Sequence, residues 1–237
     1  PTFDPPAGMI TFDRLKERIS ERVQNCHGLV LFDYYEREMS DVMLFTEIAQ
    51  KNNRILVYEP ESAHLINRFF GYPVNIMIPD IYEKEPEYLE EIIQFNNVIS
   101  KETVLKDPEK YMVQITYANI LEVLDYRNTN TLFLHHSGPP LGDFDPKLKN
   151  LRRIVDLAHL DYWKSYFGED GYFSPHAENC QILAYIDMVN ASLTIPCHTS
   201  NRKGMIANLN RPYFYAEEKK TYVYDRENNT LEVTDHE

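Results

Sequence analysis

The sequence is poor in cysteine and has no long apolar run, and each absence excludes a class of protein. Its three cysteines, Cys26, Cys180 and Cys197, form no Cys-x-x-Cys pair, which argues against a zinc ribbon and against a disulfide scaffold. No segment approaches the roughly 20 apolar residues that a membrane span needs, and no signal peptide is visible. These absences predict a cytoplasmic protein in a reducing compartment, with no membrane partner.

Phosphate-binding glycine loops and several common catalytic motifs are missing too. The sequence has no P-loop, no GxGxxG, no GxSxG and no HExxH. Basic residues are also outnumbered, with 24 Lys and Arg against 37 Asp and Glu and a formal net charge of −13. This charge repels nucleic acid overall, so a nucleic-acid enzyme would have to concentrate its basic groups locally. Because the sequence begins at Pro1 without a Met, we expect a fragment of a longer protein.

Apolar runs that alternate with amphipathic segments predict an α/β protein. The 43% of hydrophobic residues is enough for a full core. The alternation predicts a mostly parallel, Rossmann-like sheet, followed by a C-terminal closing segment and a small antiparallel tail. The predicted strands of the sheet lie at 28–33, 54–58, 74–78, 111–116, 131–135 and 193–198. The predicted helices lie at 11–24, 40–52, 61–70, 87–99, 117–126, 146–160 and 177–189.

Residues 1–10 are rich in proline and indicate a linker. We expect an α/β domain at residues 11–172 and a closing segment at residues 173–237. The stretch 161–172 is aromatic and is expected to be irregular. In the tail, short strands are expected at 212–217, 221–225 and 231–233.

Two histidines of the closing segment are the most informative residues of the chain. His176 precedes an amphipathic helix, and His198 ends the strand predicted after that helix. A helix of about 14 residues and a strand of about six residues both span about 20 Å, so the chain returns to the edge from which it left. Asp33 ends the first strand, and ligands of such sheets bind beyond the carboxyl ends of the strands. We therefore expect Asp33, His176 and His198 on one rim, as a metal or phosphate site.

Each of these residues also has a structural explanation. His198 suits a hydrogen-bonded structural histidine, His176 suits a residue that merely begins a helix, and Asp33 suits a carboxylate that caps a backbone amide. The adjacent His135 and His136 must point to opposite faces if they lie on a strand, so at most one can serve the rim. After them, Ser137 either lines a pocket or forms part of a turn.

The order of three short motifs resembles a known family. Leu-Phe-Asp33, then Phe-Ser-Pro-His176-Ala, then Ile-Pro-Cys-His198-Thr resemble motifs A, B and C of the β-CASP branch of the metallo-β-lactamase superfamily. That branch includes ribonuclease J and the endonuclease of mRNA 3′-end processing. The helix and the apolar strand between the two histidines are similar to the family pattern as well. The resemblance implies a zinc-dependent phosphodiesterase that acts on RNA.

The resemblance implies a role for each candidate residue. His198 would be a zinc ligand, and His176 would contact the scissile phosphate and protonate the leaving oxygen. Asp33 would hydrogen-bond to a site histidine, which we expect to be His176, and orient it. The further candidates for contact with the phosphate are Ser174, Ala177 and Ser137. The full-length enzyme would hold two zinc ions, which generate hydroxide near neutral pH.

The sequence also departs from the family. It lacks the His-x-His-x-Asp-His run that holds most of the metal, so we expect the metallo-β-lactamase half to precede this chain in the full-length protein. One histidine is too few for a catalytic zinc site, so the chain alone should bind zinc weakly or not at all and lack hydrolase activity. Relatives often dimerise, which makes a homodimer conceivable. Two alternatives remain open: a Rossmann-like domain that binds a ligand or partner without chemistry, and a superfamily hydrolase with a non-nucleic-acid substrate.

Overall fold

The computed structural model describes residues 7–80, 87–127, 129–197, 203–204, 209 and 211–234. The chain divides into two compact units, one formed by residues 10–173 and the other by residues 1–9 together with 174–237. Among the described residues, no helix combines the length and the apolar character needed to cross a lipid bilayer.

The described residues of the larger unit include six α-helices and a long 3-10 segment between the strands. The helices are α1 (Phe12–Gln24), α2 (Met39–Lys51), α3 (Pro60–Phe70), α4 (Leu89–Phe95), α5 (Lys101–Lys106) and α6 (Lys147–Leu157). The 3-10 segment spans Tyr117–Tyr126, and a short 3-10 turn spans Pro108–Lys110.

Local sequence explains the ends of two of these helices. The side chain of Thr11 accepts a hydrogen bond from the backbone of Arg14 at the start of α1, and Gly71 ends α3 with a φ of 76°, which glycine adopts without strain.

A five-stranded parallel sheet forms the centre of this unit. Its strands are β1 (Val30–Phe32), β2 (Ile55–Val57), β5 (Tyr111–Gln114), β6 (Leu132–His135) and β7 (Asp161–Lys164), in the order β2-β5-β1-β6-β7. Two small sheets accompany it: β3 (Asn75–Ile76) pairs in parallel with β4 (Asn97–Val98), and β8 (Phe167–Gly168) pairs antiparallel with β9 (Gly171–Tyr172). The predicted Rossmann-like α/β fold is confirmed.

Helices cover both faces of the central sheet, because successive side chains of its strands point to opposite sides. Val30 and Phe32 of β1 pack into one core with α1, α2 and α3. Leu29 and Leu31 pack into a second core with α5, α6 and the 3-10 segment. All residues of β1 are buried. The continuous apolar run of this strand is therefore explained by burial on both faces.

The structure corrects three details of the predicted strands and helices. The fifth strand of the sheet is β7, within the stretch 161–172 that was expected to be irregular, and residues 193–197 form no strand, with only a single parallel bridge between Thr194 and Tyr213. The helix predicted at 87–99 ends at Phe95, and its last part forms β4.

The smaller unit contains a helix and a hairpin among its described residues. Helix α7 (Asn179–Val189) begins with a capping box between Glu178 and Gln181, and it ends at Asn190 with a φ of 54°. The strands β10 (Thr221–Asp225) and β11 (Thr230–Thr234) pair antiparallel, as the sequence predicted for the tail. The strand expected at 212–217 is reduced to the bridge at Tyr213.

Candidate functional site

A cleft of about 540 Å³ lies beyond the carboxyl ends of β1, β5 and β6. Its walls are the loop after β1 with residues 33–37, the start of the 3-10 segment with residues 116–118, and the loop between β6 and α6 with Gly138, Pro139 and Lys147. The connection from β1 leads to α2 on one face of the sheet, whereas those from β5 and β6 lead to the other face. The cleft therefore lies at a topological switch point, where α/β sheets bind ligands.

Asp33 forms the floor of this cleft. Its carboxyl group is 2% exposed, and its Oδ1 accepts hydrogen bonds from the backbone amides of His136, at 2.7 Å, and Gly138, at 3.2 Å. Its Oδ2 is buried and has no hydrogen-bond partner among the described residues. Burial raises the pKa of Asp33, while the nearby His135 and the two amides act in the opposite direction. One oxygen of this carboxyl group is thus anchored, and the other lacks a partner among the described residues.

Gly138 allows the loop after β6 to approach Asp33 this closely. A Cβ atom at position 138 would lie 2.9 Å from both the Cβ and the Cγ of Asp33. Real side chains do not reach such distances, so a larger residue would push the loop or the carboxyl group aside. Position 138 therefore requires a glycine, because no larger residue fits beside Asp33.

His135 lies beside Asp33, and both of its ring nitrogens have hydrogen-bond partners. Its Nε2 is 3.2 Å from the carbonyl oxygen of Gly138, which can only accept, so Nε2 carries a proton. Its Nδ1 lies 2.7 Å from the hydroxyl of Tyr162. The distance from Nε2 to Asp33 Oδ2 is 3.7 Å, too long for a hydrogen bond. The ring beside Asp33 Oδ2 is thus that of His135, which the sequence analysis had not connected with Asp33.

His136 belongs to a buried network that joins two of the walls. Its Nδ1 lies 2.7 Å from Ser165 Oγ, and its Nε2 lies 3.3 Å from Asp41 Oδ1. Ser137 donates to the other oxygen of Asp41 at 2.6 Å and accepts from the backbone amide of Tyr35 at 2.9 Å. Ser165, His136 and Asp41 are in hydrogen-bond contact like a Ser-His-Asp triad, but Ser165 is fully buried and no substrate could reach its hydroxyl. This network holds the loops around the cleft and is not a nucleophilic triad.

This geometry bears on three residues that the sequence had considered for the rim. Ser137 is half-buried, and its hydroxyl is already engaged with Asp41 and Tyr35, so its contact with a phosphate remains a prediction. His135 and His136 are both buried, and they are directed to different partners, as residues on opposite faces of a strand should be.

The rim of the cleft carries exposed cations and aromatic rings. Arg37 and Lys147 are exposed at the rim, and the Nζ of Lys147 lies 5.7 Å from the centroid of the Tyr117 ring. Glu36 also lines the cleft, and burial together with the nearby Glu61 raises its pKa. The cleft is therefore locally less acidic than the whole chain, whose net charge is −13.

Glu59, just beyond β2, is a second buried carboxyl group at this edge of the sheet. Its two oxygens accept from the backbone amide and the hydroxyl of Thr116, at 2.9 and 2.7 Å. Burial raises the pKa of Glu59 to about 8, although these hydrogen bonds act against the rise. The sequence analysis missed Glu59. Its position directly after an apolar strand, like that of Asp33, is the signal that could have identified it.

The smaller unit holds the other sequence candidates. Ser174 Oγ donates to the carbonyl oxygen of His176 and accepts from its backbone amide, which forms a turn before α7. His176 and Ala177 are exposed, and α7 begins three residues after His176. His198 lies outside the described residues. The roles predicted for these residues, and the orientation of His176 by Asp33, stay predictions.

The described residues by themselves do not suit a zinc ion. Within the part of the chain that the structure describes, no group of three His, Cys, Asp or Glu side chains is close enough together to hold a metal. A zinc site needs at least three protein ligands.

Comparisons with known proteins show the fold but no family. No family model matches the chain, and no curated protein does so. Among solved structures, a protein of unknown function from Enterococcus faecalis V583 is similar over 99% of this chain, with 20% sequence identity and a TM-score of 0.65. This chain spans 49% of the length of that protein.

Proposed function

We propose that this chain is part of a zinc-dependent phosphodiesterase of the β-CASP type that acts on RNA. The observation that carries the proposal is the position of Asp33. The acid of the Leu-Phe-Asp33 motif ends the central strand, is buried in the floor of a cleft, and keeps one carboxyl oxygen free. Arg37 and Lys147 at the rim provide the local positive charge that a phosphodiester requires.

In this proposal the residues of the chain bind the substrate and move its protons. His176 is exposed, with free access to a substrate, and would protonate the leaving oxygen. His198 would be one metal ligand, and the remaining ligands would come from a metallo-β-lactamase half that is not in this sequence. When bound there, zinc would supply an activated water and stabilise charge on the phosphate.

The surface of α7 supports association with such a half. Most side chains of this helix are apolar, yet among its described side chains none is buried. Tyr185, Met188 and Val189 are 62, 73 and 52% exposed. A soluble domain rarely exposes a continuous apolar helix face, so a further part of the protein is expected to cover it. The similar Enterococcus protein, about twice as long as this chain, has room for such a part.

RNA cleavage by the full-length protein tests the proposal. We expect zinc-dependent cleavage of single-stranded RNA that His176→Ala reduces by about 100-fold or more, the range of a lost general acid. His27→Ala is the matched control, because His27 is 84% exposed and lies at the opposite edge of the sheet. Equal cleavage by His176→Ala and the wild type would remove His176 from the mechanism.

Zinc binding by this chain alone is a second test. Calorimetric titration should show weak binding or none, because a single histidine holds zinc poorly. Micromolar affinity that is lost in His198→Ala would contradict the expectation that the ligands come mainly from elsewhere.

A second candidate function is binding of a ligand or partner without catalysis. The observation that favours it is that the cleft is complete within residues 10–173 and needs neither His176 nor His198. The net charge of −13 also favours this candidate, or a superfamily hydrolase with a non-nucleic-acid substrate, over an RNA enzyme. A full-length protein that keeps the fold but cleaves no RNA in zinc would support this candidate.

A further inference from the structure

The free oxygen of Asp33 requires a hydrogen-bond donor from outside the described part of the protein. A buried polar atom without a partner costs about 1–3 kcal/mol, so such atoms are rare in folded proteins. The Oδ2 of Asp33 is such an atom, and Asp33 lines the cleft while being 2% exposed. Because Oδ1 already accepts from two backbone amides, the carboxyl group cannot turn to satisfy Oδ2 without losing those bonds.

The exposed cations at the rim of the cleft oppose a cationic donor, although the partly buried Glu36 also lines the cleft. Arg37 and Lys147 line the cleft and are exposed, so they favour an anionic ligand. A ligand that suits both ends of the cleft has an anionic group for the rim and a neutral hydroxyl group for the floor. Phosphate is an anion that both Arg and Lys bind in proteins.

The size and walls of the cleft restrict the ligand further. A volume of about 540 Å³ lies within the usual range for small-molecule sites. Tyr35 and Tyr117 provide ring surfaces, which suit the apolar faces of a sugar or a base. The position at a switch point of a parallel sheet is the usual place for ligands that contain a phosphate and a ribose.

We propose that this cleft binds a free phosphorylated ribose, with a sugar hydroxyl donating to Asp33 Oδ2 and the phosphate between Arg37 and Lys147. The same chemistry occurs in ribose 5-phosphate and in a ribonucleoside monophosphate. The site goes beyond phosphodiester cleavage, since it needs no metal and no residue of the smaller unit.

The test is calorimetric binding of ribose 5-phosphate and of AMP to the protein in buffer with EDTA. We expect saturable binding of at least one of them. Tighter binding of AMP would identify the nucleotide as the source of the phosphorylated ribose, and equal binding would identify the sugar phosphate. Adenosine and ribose, which lack the phosphate, should bind at least tenfold more weakly than their phosphorylated forms.

Two variants locate the ligand. Asp33→Asn keeps an oxygen for the two backbone amides but replaces the free acceptor by a donor, so affinity should fall about tenfold or more, the equivalent of one lost charged hydrogen bond. Lys147→Met should weaken binding several-fold, whereas Lys149→Met, an exposed position of α6 outside the cleft, should leave it unchanged. Circular dichroism of each variant confirms that it is folded.

Either of two results would overturn this proposal. One is the absence of saturable binding of both probes up to 10 mM, on the order of the weakest affinity that is relevant for a small ligand. The other is equal affinity of Asp33→Asn, Lys147→Met and the wild type. Because the assay contains EDTA and no RNA, these results leave the RNA-cleavage test of the proposed function unaffected.

Discussion

Glu59 should make the stability of the larger unit fall as the pH rises. Its pKa is raised from an ordinary value of 4.5 to about 8 by burial. The unfolded chain therefore loses this proton near pH 4.5, whereas the folded chain keeps it up to about pH 8. Between these values the free energy of unfolding falls by about 1.4 kcal/mol for each pH unit. The total loss of stability above pH 8 is about 5 kcal/mol. Below pH 4.5 both states are protonated, and the effect vanishes.

Replacement of Glu59 by Gln isolates this contribution. A glutamine oxygen can accept from the amide of Thr116, and the NH₂ group can donate to the hydroxyl of the same residue. The variant can therefore keep a hydrogen bond to each of these two groups. We expect the variant to lose the part of the pH dependence that Glu59 causes. Above pH 8 it should be more stable than the wild type by several kcal/mol, and near pH 4.5 the two should be similar.

Urea unfolding at pH 5, 6.5 and 8.5 measures the difference. Trp163, the single tryptophan, lies on β7 and packs against the core, so its fluorescence reports unfolding of the larger unit. The other buried carboxyl groups titrate in both proteins and cancel when the two free energies of unfolding are subtracted. If that difference were constant from pH 5 to 8.5, Glu59 would ionise normally in the folded protein and the reasoning would be refuted.

Two further substitutions test the packing around the cleft and in the core. Gly138→Ala should destabilise the protein by about 1–3 kcal/mol, because its Cβ would overlap with the buried Asp33; a melting temperature equal to that of the wild type would show that the loop moves without cost. Phe133→Ala should cost about 3–5 kcal/mol in urea unfolding, since Phe133 is fully buried. Its matched control Phe144→Ala, at a position that is 81% exposed, should change stability by less than about 0.5 kcal/mol; similar losses in both would contradict the assignment of the core.

The strands that the sequence predicted correctly are those with a strong local signal. The apolar run before Asp33 must be buried on both faces, which only a central parallel strand provides, and β1 is indeed the middle strand of the sheet. β7 has the opposite character. It lies at the edge of the sheet, and its first residue, Asp161, is exposed, so its sequence carries no comparable pattern. Pairing with β6, and not local sequence, makes this segment a strand.

The predicted strand at 193–198 failed for a related reason. Its residues are apolar enough for a strand, but within the described part of the chain residues 193–197 form a β-bridge only through Thr194. An apolar segment shows that burial is favourable without showing which neighbour will cover it. The expectation that His198 lies at the same sheet edge as Asp33 required this segment to pair with the central sheet.

The sequence alone therefore determined the α/β class, most of the parallel strands and the place of Asp33 at a strand end, because these depend on local periodicity and on the burial of contiguous residues. The tertiary structure decided what Asp33 does there. Two amides from the loop after β6 hold one of its oxygens, Gly138 makes room for it, and His135 lies beside it. These partners are about 100 residues away in the chain, and only the pairing of β1 with β6 brings them together. No local pattern could have shown that its second oxygen would be left free in a cleft.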